Sequence, residues 1–284
     1  MVDVDLRPLS LGEILDRTFS LYRSNFLLFA GIAALPQLLV LGFNLATTVL
    51  PFFAANFPVR ALASGSGVAL VVVSLMLGIC VYLVAYLFAQ GGTVFAVSEL
   101  YLGRQTTIVA SLKRMRGHAL WLLGVIILSG LAIGAATLLL IIPGIWLACR
   151  LMACVPAALL EDLGPGESLS RSFQLTENNA GRSFVIYLLY FVLSYAATFC
   201  LTFPFTVAAG MSAHHLDAAR TWLILSHFGQ FIANVAVTPI LTIATAVYYY
   251  DLRVRREAFD LQVMLNSLGG AAPGTPPSAS APAD

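Results

Sequence analysis

Charged residues are scarce in this chain. They make up 10% of its 284 residues, against about 25% in an ordinary globular domain, while 59% of the residues are hydrophobic. The net charge of +1 leaves no global basic field of the kind that attracts nucleic acid. The composition therefore argues against a water-soluble domain, and we expect no nucleic-acid partner.

Motifs of common active sites are also missing. The four cysteines lie in apolar stretches without CxxC or other metal-ligand spacing, so we expect them to be small buried residues. The chain has no GxSxG, no HExxH and no phosphate-binding glycine loop followed by lysine. His214, His215 and Asp217 form the densest group of possible ligands, and a polar loop is a simpler interpretation of them than a metal site. We expect no catalytic residue, no metal and no other cofactor.

What the chain has instead is a series of about six apolar stretches of membrane-spanning length. Because a bilayer core needs about 20 apolar residues in a helix, these runs predict an all-α integral membrane protein. The predicted transmembrane helices cover 26–50, 68–97, 119–142, 145–160, 183–209 and 222–250. The fourth is short and is joined to the third only by Pro143 and Gly144, which predicts a tight helical hairpin.

Basic residues are distributed unevenly between the two predicted sides of the membrane. An even number of transmembrane helices puts both termini on one side, which carries 12 arginine or lysine residues, while the other side carries only Arg60 and Arg220. The 12 residues are Arg7, Arg17, Arg23, Arg104, Lys113, Arg114, Arg116, Arg171, Arg182, Arg253, Arg255 and Arg256. By the positive-inside rule, we expect a multi-pass protein of the plasma (inner) membrane with both termini in the cytoplasm.

The segments that precede predicted transmembrane helices resemble one another. Residues 12–25 align without gaps to 166–179 with seven identities in 14 positions, and a weaker third copy is Ser111–Arg114. Ser10 and Glu13 have the spacing of a capping box, which starts a helix before the first copy enters the membrane. We interpret the pattern as three parallel repeat units, each an interfacial amphipathic helix followed by two transmembrane helices. The units cover about 10–97, 107–160 and 166–250.

One polytopic membrane domain is predicted to cover residues 1–268. Its last part, 251–268, has apolar residues at alternating spacings of four and three, which predicts one more amphipathic helix. Residues 269–284 consist of Ala, Pro, Gly and Ser with one final Asp. We predict that this tail is disordered, because it has no side chains with which to build a core.

Three arginines at matching positions of the repeats are candidate contacts for lipid headgroups. Arg17, Arg114 and Arg171 are expected near the membrane surface, and the planar guanidinium group suits phosphate. The alternative is that they stabilise the repeats through salt bridges to Glu13, Asp16 or Glu167 and otherwise reflect ordinary positive-inside topology. Both interpretations remain open from the sequence.

A fourth arginine lies within a predicted transmembrane helix. A charge at such a position usually faces a cavity, a partner or the membrane surface. We therefore consider Arg150 a candidate intramembrane polar site that contacts lipid or substrate. The alternative is a structural role in which the side chain snorkels to the surface.

Several stretches of the chain together resemble a known family. They are Arg7–Phe19, Ile141–Ile145, Leu160–Glu161, Ser170–Ser172 and Tyr249–Arg256. In this order and spacing, the chain to about residue 265 is similar to the membrane domain of glycerophosphoryl diester phosphodiesterases, a family of polytopic bacterial membrane proteins. The resemblance implies a helical membrane domain without the separate catalytic domain that gives the family its name, and therefore no enzyme.

Two functions follow from these expectations. The first is a non-catalytic membrane module that associates with membrane phospholipids or binds another membrane or cytoplasmic protein. The second is a transporter or flippase-like protein for an amphiphilic or lipid substrate. A continuous polar cavity inside the membrane would favour the second, whereas the small number of strongly polar residues in the predicted transmembrane helices favours the first.

Overall fold

The computed structural model describes residues 8–53, 65–101, 103–212 and 214–257. Within these ranges the chain is helical and has no β-strand. The helices are α1 (Leu11–Ser24), α2 (Phe26–Phe53), α3 (Gly65–Tyr101), α4 (Ile108–Leu139), α5 (Ile141–Arg150), α6 (Cys154–Leu160), α7 (Pro165–Leu175), α8 (Ala180–Met211) and α9 (Leu216–Glu257).

Six stretches within the described residues are long enough and apolar enough to cross a membrane: five are single helices, and the fourth consists of α5 and α6. This confirms the predicted all-α architecture with about six transmembrane helices. The stretches are Phe26–Val49, Val72–Tyr101, Ile108–Leu139, Ile141–Leu160, Ala180–Met211 and Asp217–Arg256.

The last helix, α9, lies at the centre of the bundle. It packs against α1, α2, α3 and α8. In the most apolar stretch of 18 residues of α9, 56% of the residues are buried, whereas the corresponding stretch of its neighbour α8 has only 6% buried. From Ile243 to Leu252 the side chains of α9 are buried on every face, as expected for a helix enclosed by other helices. The outer helices consequently turn much of their apolar surface outward, as a lipid-facing protein does.

Two expected boundaries between amphipathic and transmembrane helices do not exist. α4 runs unbroken from Ile108 to Leu139 and includes the charged segment before the third predicted transmembrane helix. α9 continues past Asp251 to Glu257. Neither junction contains a proline, so the backbone hydrogen bonds of each helix continue through it. The remainder of the predicted 251–268 helix and the 269–284 tail lie outside the described residues.

The predicted hairpin is present, but its turn lies at Leu140 rather than at Pro143 and Gly144. Leu140 has extended backbone angles, φ −159° and ψ 139°, between α4 and α5. Pro143 is in the first turn of α5, where a missing N–H does no harm. A Cβ at Gly144 would collide with Thr137 of α4, so the glycine allows the two helices to pack closely.

The fourth predicted transmembrane helix, 145–160, is not one continuous helix. It is divided into α5 and α6 by a turn at residues 151–153. Leu151 follows α5 with φ −93° and ψ 6°, and its N–H still donates to the Leu147 carbonyl. The turn therefore interrupts the α-helical pattern while keeping this backbone group paired.

The short helices α1 and α7 begin in similar ways. The backbone N–H of Ser10 donates to the Glu13 carboxylate over 2.6 Å, which confirms the predicted capping box. At α7 the backbone N–H of Gly164 donates to the Glu167 carboxylate over 3.1 Å. Ser10 and Gly164 each lie two residues before the aligned segments 12–25 and 166–179.

The ends of α1 and α7 are also alike, because an asparagine carbonyl starts the next long helix in each case. Asn25 accepts hydrogen bonds from the N–H groups of Leu28 and Phe29, and Asn179 accepts them from Arg182 and Ser183. These matching roles agree with the alignment of residues 12–25 with 166–179. The three-unit repeat stays a prediction.

Candidate functional site

Arg17 stacks on an aromatic pair that connects α1, α3 and α9. Its guanidinium carbon lies 5.0 Å from the centroid of the Tyr101 ring. The second ring of the pair is Tyr250, which is parallel to Tyr101 within 2° at a centroid distance of 4.6 Å. The cation–π contact and the ring stacking hold the helix ends together.

Arg114 forms an ion pair between α4 and α3. Its Nη1 lies 2.7 Å from Oε1 of Glu99, and its guanidinium carbon lies 4.7 Å from the centroid of the Phe95 ring. Glu99 is also 3.8 Å from Arg104. The Arg114 side chain is about half exposed, so solvent weakens the ion pair.

Arg171 forms a bidentate ion pair with Glu161. Its Nε and Nη2 lie 2.8 and 3.1 Å from the two carboxylate oxygens. The same carboxylate accepts a hydrogen bond from the Tyr249 hydroxyl over 2.6 Å and lies 3.8 Å from Nε of Arg253. Glu161 is therefore a junction between α7, α9 and the segment after α6.

The three arginines predicted to contact lipid headgroups thus all have protein partners. Arg114 of α4 pairs with Glu99, and Arg171 of α7 pairs with Glu161. Each glutamate lies in the chain before the helix that carries its arginine. A phosphate group would have to compete with these carboxylates. Their role as headgroup contacts stays a prediction.

Asp251 is a second junction, and the sequence did not single it out. Its side chain is fully buried and accepts hydrogen bonds from the backbone N–H of Leu9 at 2.7 Å, from Arg182 at 2.8 Å and from Arg255 at 2.9 Å. Arg182 and Arg255 also donate to the Leu9 carbonyl. The first and last described segments of the chain therefore meet at one carboxylate.

Three consecutive tyrosines of α9 reach three different parts of the bundle. Tyr248 donates to the Asn179 carbonyl at 2.9 Å, Tyr249 donates to Glu161, and Tyr250 donates to Ser98 at 3.1 Å. Successive residues of a helix point about 100° apart, so one turn can contact α3, the segment after α6 and the residue before α8 together. We call this region, with the junctions at Asp251 and Glu161, the basic end of the bundle.

The helix α1 is fixed to α9 by a further hydroxyl. Tyr22 donates to the backbone carbonyl of Ala236 over 2.6 Å. Burial raises the pKa of the Tyr22 phenol above its usual value, because the charged form would lose its water. The phenol therefore keeps its donor hydrogen at physiological pH.

Arg150 is held in a different way from the other arginines. Its guanidinium carbon lies 5.1 Å from the centroid of the Phe173 ring and 5.7 Å from that of Trp146. Its Nε is buried and has no hydrogen-bond partner. In the part of the chain that the structure describes, no carboxylate forms an ion pair with it. Its backbone carbonyl, by contrast, lies 2.8 Å from the Ser172 hydroxyl and 2.9 Å from that of Thr176.

An apolar groove runs between α5 and α8 beside Arg150. It consists of two adjoining cavities of about 390 and 440 Å³ that share Ile145, Cys149 and Phe184. Trp146 lines the cavity nearer to α7, and Tyr187 lines the other. We refer to this feature as the α5–α8 groove. Its lining is almost wholly apolar, and it opens on the outer surface of the bundle.

A smaller, more polar cavity adjoins the α5–α8 groove. It has a volume of about 240 Å³ and shares Tyr187 and Leu241 with the groove. Its other polar lining residues come from four helices and are Tyr86, Gln90, Ser129, Cys154 and Thr245. We call it the polar chamber. The turn at 151–153 borders it, through Leu151 and Met152.

The sequence could indicate only part of this arrangement. Arg150 was predicted to be a polar site, and the structure places it beside a groove. The groove was not predicted, because it is formed by α5 and α8, and no periodic pattern links the two. Among the described residues, no three His, Cys, Asp or Glu side chains lie close enough together to hold a metal ion.

Together these observations define a class of protein: an all-helical protein whose described residues include six helices able to cross a membrane, with a polar network at one end and a lateral apolar groove. No family model, no curated protein and no solved structure matches the chain. The resemblance to the membrane domain of glycerophosphoryl diester phosphodiesterases therefore stays a prediction.

Proposed function

We propose that the protein is a non-catalytic membrane module that binds a membrane lipid in the α5–α8 groove. The observation that carries the proposal is an outward-facing apolar groove with polar groups beside both of its cavities: the polar chamber adjoins one cavity through Tyr187 and Leu241, and Arg150 lies against Trp146 of the other. An amphiphile has the matching division into an apolar chain and a polar part. The two cavities of the groove are each within the range of about 300–1,000 Å³ that is usual for ligand sites.

The walls of the groove are suited to an acyl chain. Ile145, Phe184 and Leu188 are all substantially exposed on the outer surface, where an acyl chain can enter from the side. A lipid that enters the groove from the bilayer moves from one apolar environment to another, so the hydrophobic effect contributes little. Close packing and polar contacts therefore determine the affinity.

We further propose that the basic end faces the cytoplasm in the plasma membrane of a bacterium. The uneven distribution of arginine supports this orientation. Leu9 and Arg255 both donate hydrogen bonds to Asp251 and therefore lie at the same end of the bundle. An even number of membrane crossings requires this arrangement. A partner protein that binds at this end is compatible with the same proposal.

A transporter or flippase-like protein is the second candidate. It is favoured by the division of the predicted fourth transmembrane helix at residues 151–153, because broken helices with irregular backbone inside a membrane are typical of substrate paths. The turn borders the polar chamber at Leu151 and Met152. Movement of a fluorescent phospholipid between the leaflets of protein-containing vesicles would distinguish this function from binding alone.

Native mass spectrometry of the protein released from its own membranes tests the proposal. Ala148 lines the groove, and Ala148→Phe would fill it. Ala135→Phe is the matched control, because Ala135 is exposed on α4 away from the groove. We expect retained phospholipid in the unsubstituted protein and in the control, and its loss in Ala148→Phe. Equal retention in all three would refute the groove as the site.

A further inference from the structure

The surroundings of Arg150 indicate which lipids the groove selects. This inference rests on the proposed function, since it concerns the ligand of the same groove. Trp146 lines the groove, and its ring contacts the guanidinium group, so the positive charge lies directly beside the groove at Trp146. Phe173 of α7 covers the other side of the charge.

The position of Arg150 is fixed by its backbone. The Ser172 and Thr176 hydroxyls lie within hydrogen-bond distance of its carbonyl, and both residues are fully buried. This carbonyl is one of those left without a partner at the end of a helix, and the two hydroxyls supply one. The side chain therefore starts from a rigid point, and its guanidinium is aimed by the two aromatic rings.

The charge of Arg150 is not compensated within the described part of the chain. Arg171 and Arg182 each pair with a carboxylate, whereas Arg150 contacts aromatic faces and leaves Nε buried without a hydrogen-bond acceptor. Aromatic rings attract a cation but cannot accept the several hydrogen bonds that a guanidinium group donates. Such a group in apolar surroundings is costly unless an anion is close to it.

We propose that Arg150 binds a phosphodiester, and that the α5–α8 groove therefore selects phosphate-bearing lipids over lipids that lack phosphate. Phosphate oxygens match the fork geometry of the guanidinium group. A chain in the groove and a phosphate at Arg150 would satisfy both parts of the site at once.

Fluorescence of Trp146 offers a direct test, because its ring contacts the guanidinium group. The chain has three tryptophans, so Trp121→Phe together with Trp222→Phe leaves Trp146 as the only one. The purified full-length variant in a neutral detergent is titrated with dihexanoyl phosphatidylglycerol, with dihexanoyl glycerol and with inorganic phosphate. We expect saturable binding of the phospholipid at least about tenfold tighter than that of the diacylglycerol.

Substitution of Arg150 should remove this preference without preventing folding, because the hydrogen bonds of residue 150 to Ser172 and Thr176 use its backbone. In the single-tryptophan background, Arg150→Gln is expected to bind both lipids with the same low affinity. Arg150→Lys, which keeps the charge but loses the fork, should be intermediate. Arg116→Gln removes an exposed arginine of α4, a different helix, and should change neither affinity.

The outcomes separate the two proposals. Equal affinity of the unsubstituted groove for phospholipid and diacylglycerol would overturn phosphate recognition and leave lipid binding intact. No saturable binding of either lipid would overturn the lipid-binding function itself. Inorganic phosphate that binds Arg150 as tightly as the phospholipid does would assign the site to a soluble anion and overturn the lipid as its source.

Discussion

Tyr249 donates its phenolic hydrogen to Glu161 over 2.6 Å, although 88 residues separate the two along the chain. The same carboxylate binds Arg171 with both of its oxygens, and only 15% of the Glu161 side chain is exposed. Through Glu161, which lies between α6 and α7, the contact connects the central helix α9 to Arg171 of α7. It indicates that the basic end is held together by specific hydrogen bonds, whereas apolar packing dominates elsewhere.

Removal of the Tyr249 hydroxyl should be destabilising. Tyr249→Phe leaves the ring in place and deletes a hydrogen bond to a charged acceptor, so we expect the free energy of unfolding to fall by about 1.5–3 kcal/mol. Tyr195→Phe is the control, because Tyr195 is 64% exposed on the outer surface. Reversible denaturation in mixed micelles measures both, and equal stability of the two variants would contradict the importance of the contact.

Neutralisation of Asp251 should have a larger effect. In Asp251→Asn, Arg182 and Arg255 lose their carboxylate, and breaking a buried ion pair costs about 3–5 kcal/mol. The comparison is Glu177→Gln, which removes the exposed partner of Arg256 and should cost less than about 1 kcal/mol. Thermal unfolding of the detergent-solubilised variants checks the order. A smaller loss for Asp251→Asn than for Glu177→Gln would show that the junction does not determine stability.

A glycine of α9 should be intolerant of any side chain. A Cβ at Gly229 would collide with the backbone carbonyl oxygen of Leu201 in α8, and a backbone atom cannot move aside. We expect Gly229→Ala to destabilise the protein by about 1–3 kcal/mol. Gly210→Ala in α8 meets no neighbouring atom and should be neutral or stabilising by up to about 1 kcal/mol. The yield and melting temperature of the two purified variants give the comparison.

The orientation in the membrane can be tested with single cysteines. In a background without the four native cysteines, Gln105→Cys marks the basic end and His215→Cys marks the turn before α9; both residues are exposed. A membrane-impermeant maleimide added outside an intact plasma membrane should label position 215 and should label position 105 only after lysis. The reverse pattern would place the basic end outside the cell.

Local signals in the sequence predicted much of the helical framework. The capping box of Ser10 and Glu13 depends on residues three positions apart, and the apolar stretches depend on composition, so both could be recognised before folding. Boundaries within continuous helices were less predictable. The polarity changes at 118 and 251 look like junctions, but the backbone of a helix is indifferent to a change of solvent along its length unless a residue such as proline interrupts it.

The contacts at the basic end could not be predicted in the same way. The basic character of Arg171 was visible, but its pairing with Glu161 depends on the turn between α6 and α7, and the role of Asp251 depends on a residue at the other end of the chain. Such partners are chosen by tertiary packing rather than by spacing. The α5–α8 groove is likewise a property of how two helices cross.

The hydrogen bond between Leu9 and Asp251 also bears on the order of biosynthesis. The two residues are 242 positions apart, so Leu9 leaves the ribosome long before its acceptor has been made. Chains are synthesised from the N-terminus at about 5–20 residues per second, so this hydrogen bond can form only after residue 251 has been made. In the completed fold, this contact therefore requires that an earlier and a much later segment of the chain have both reached the basic end.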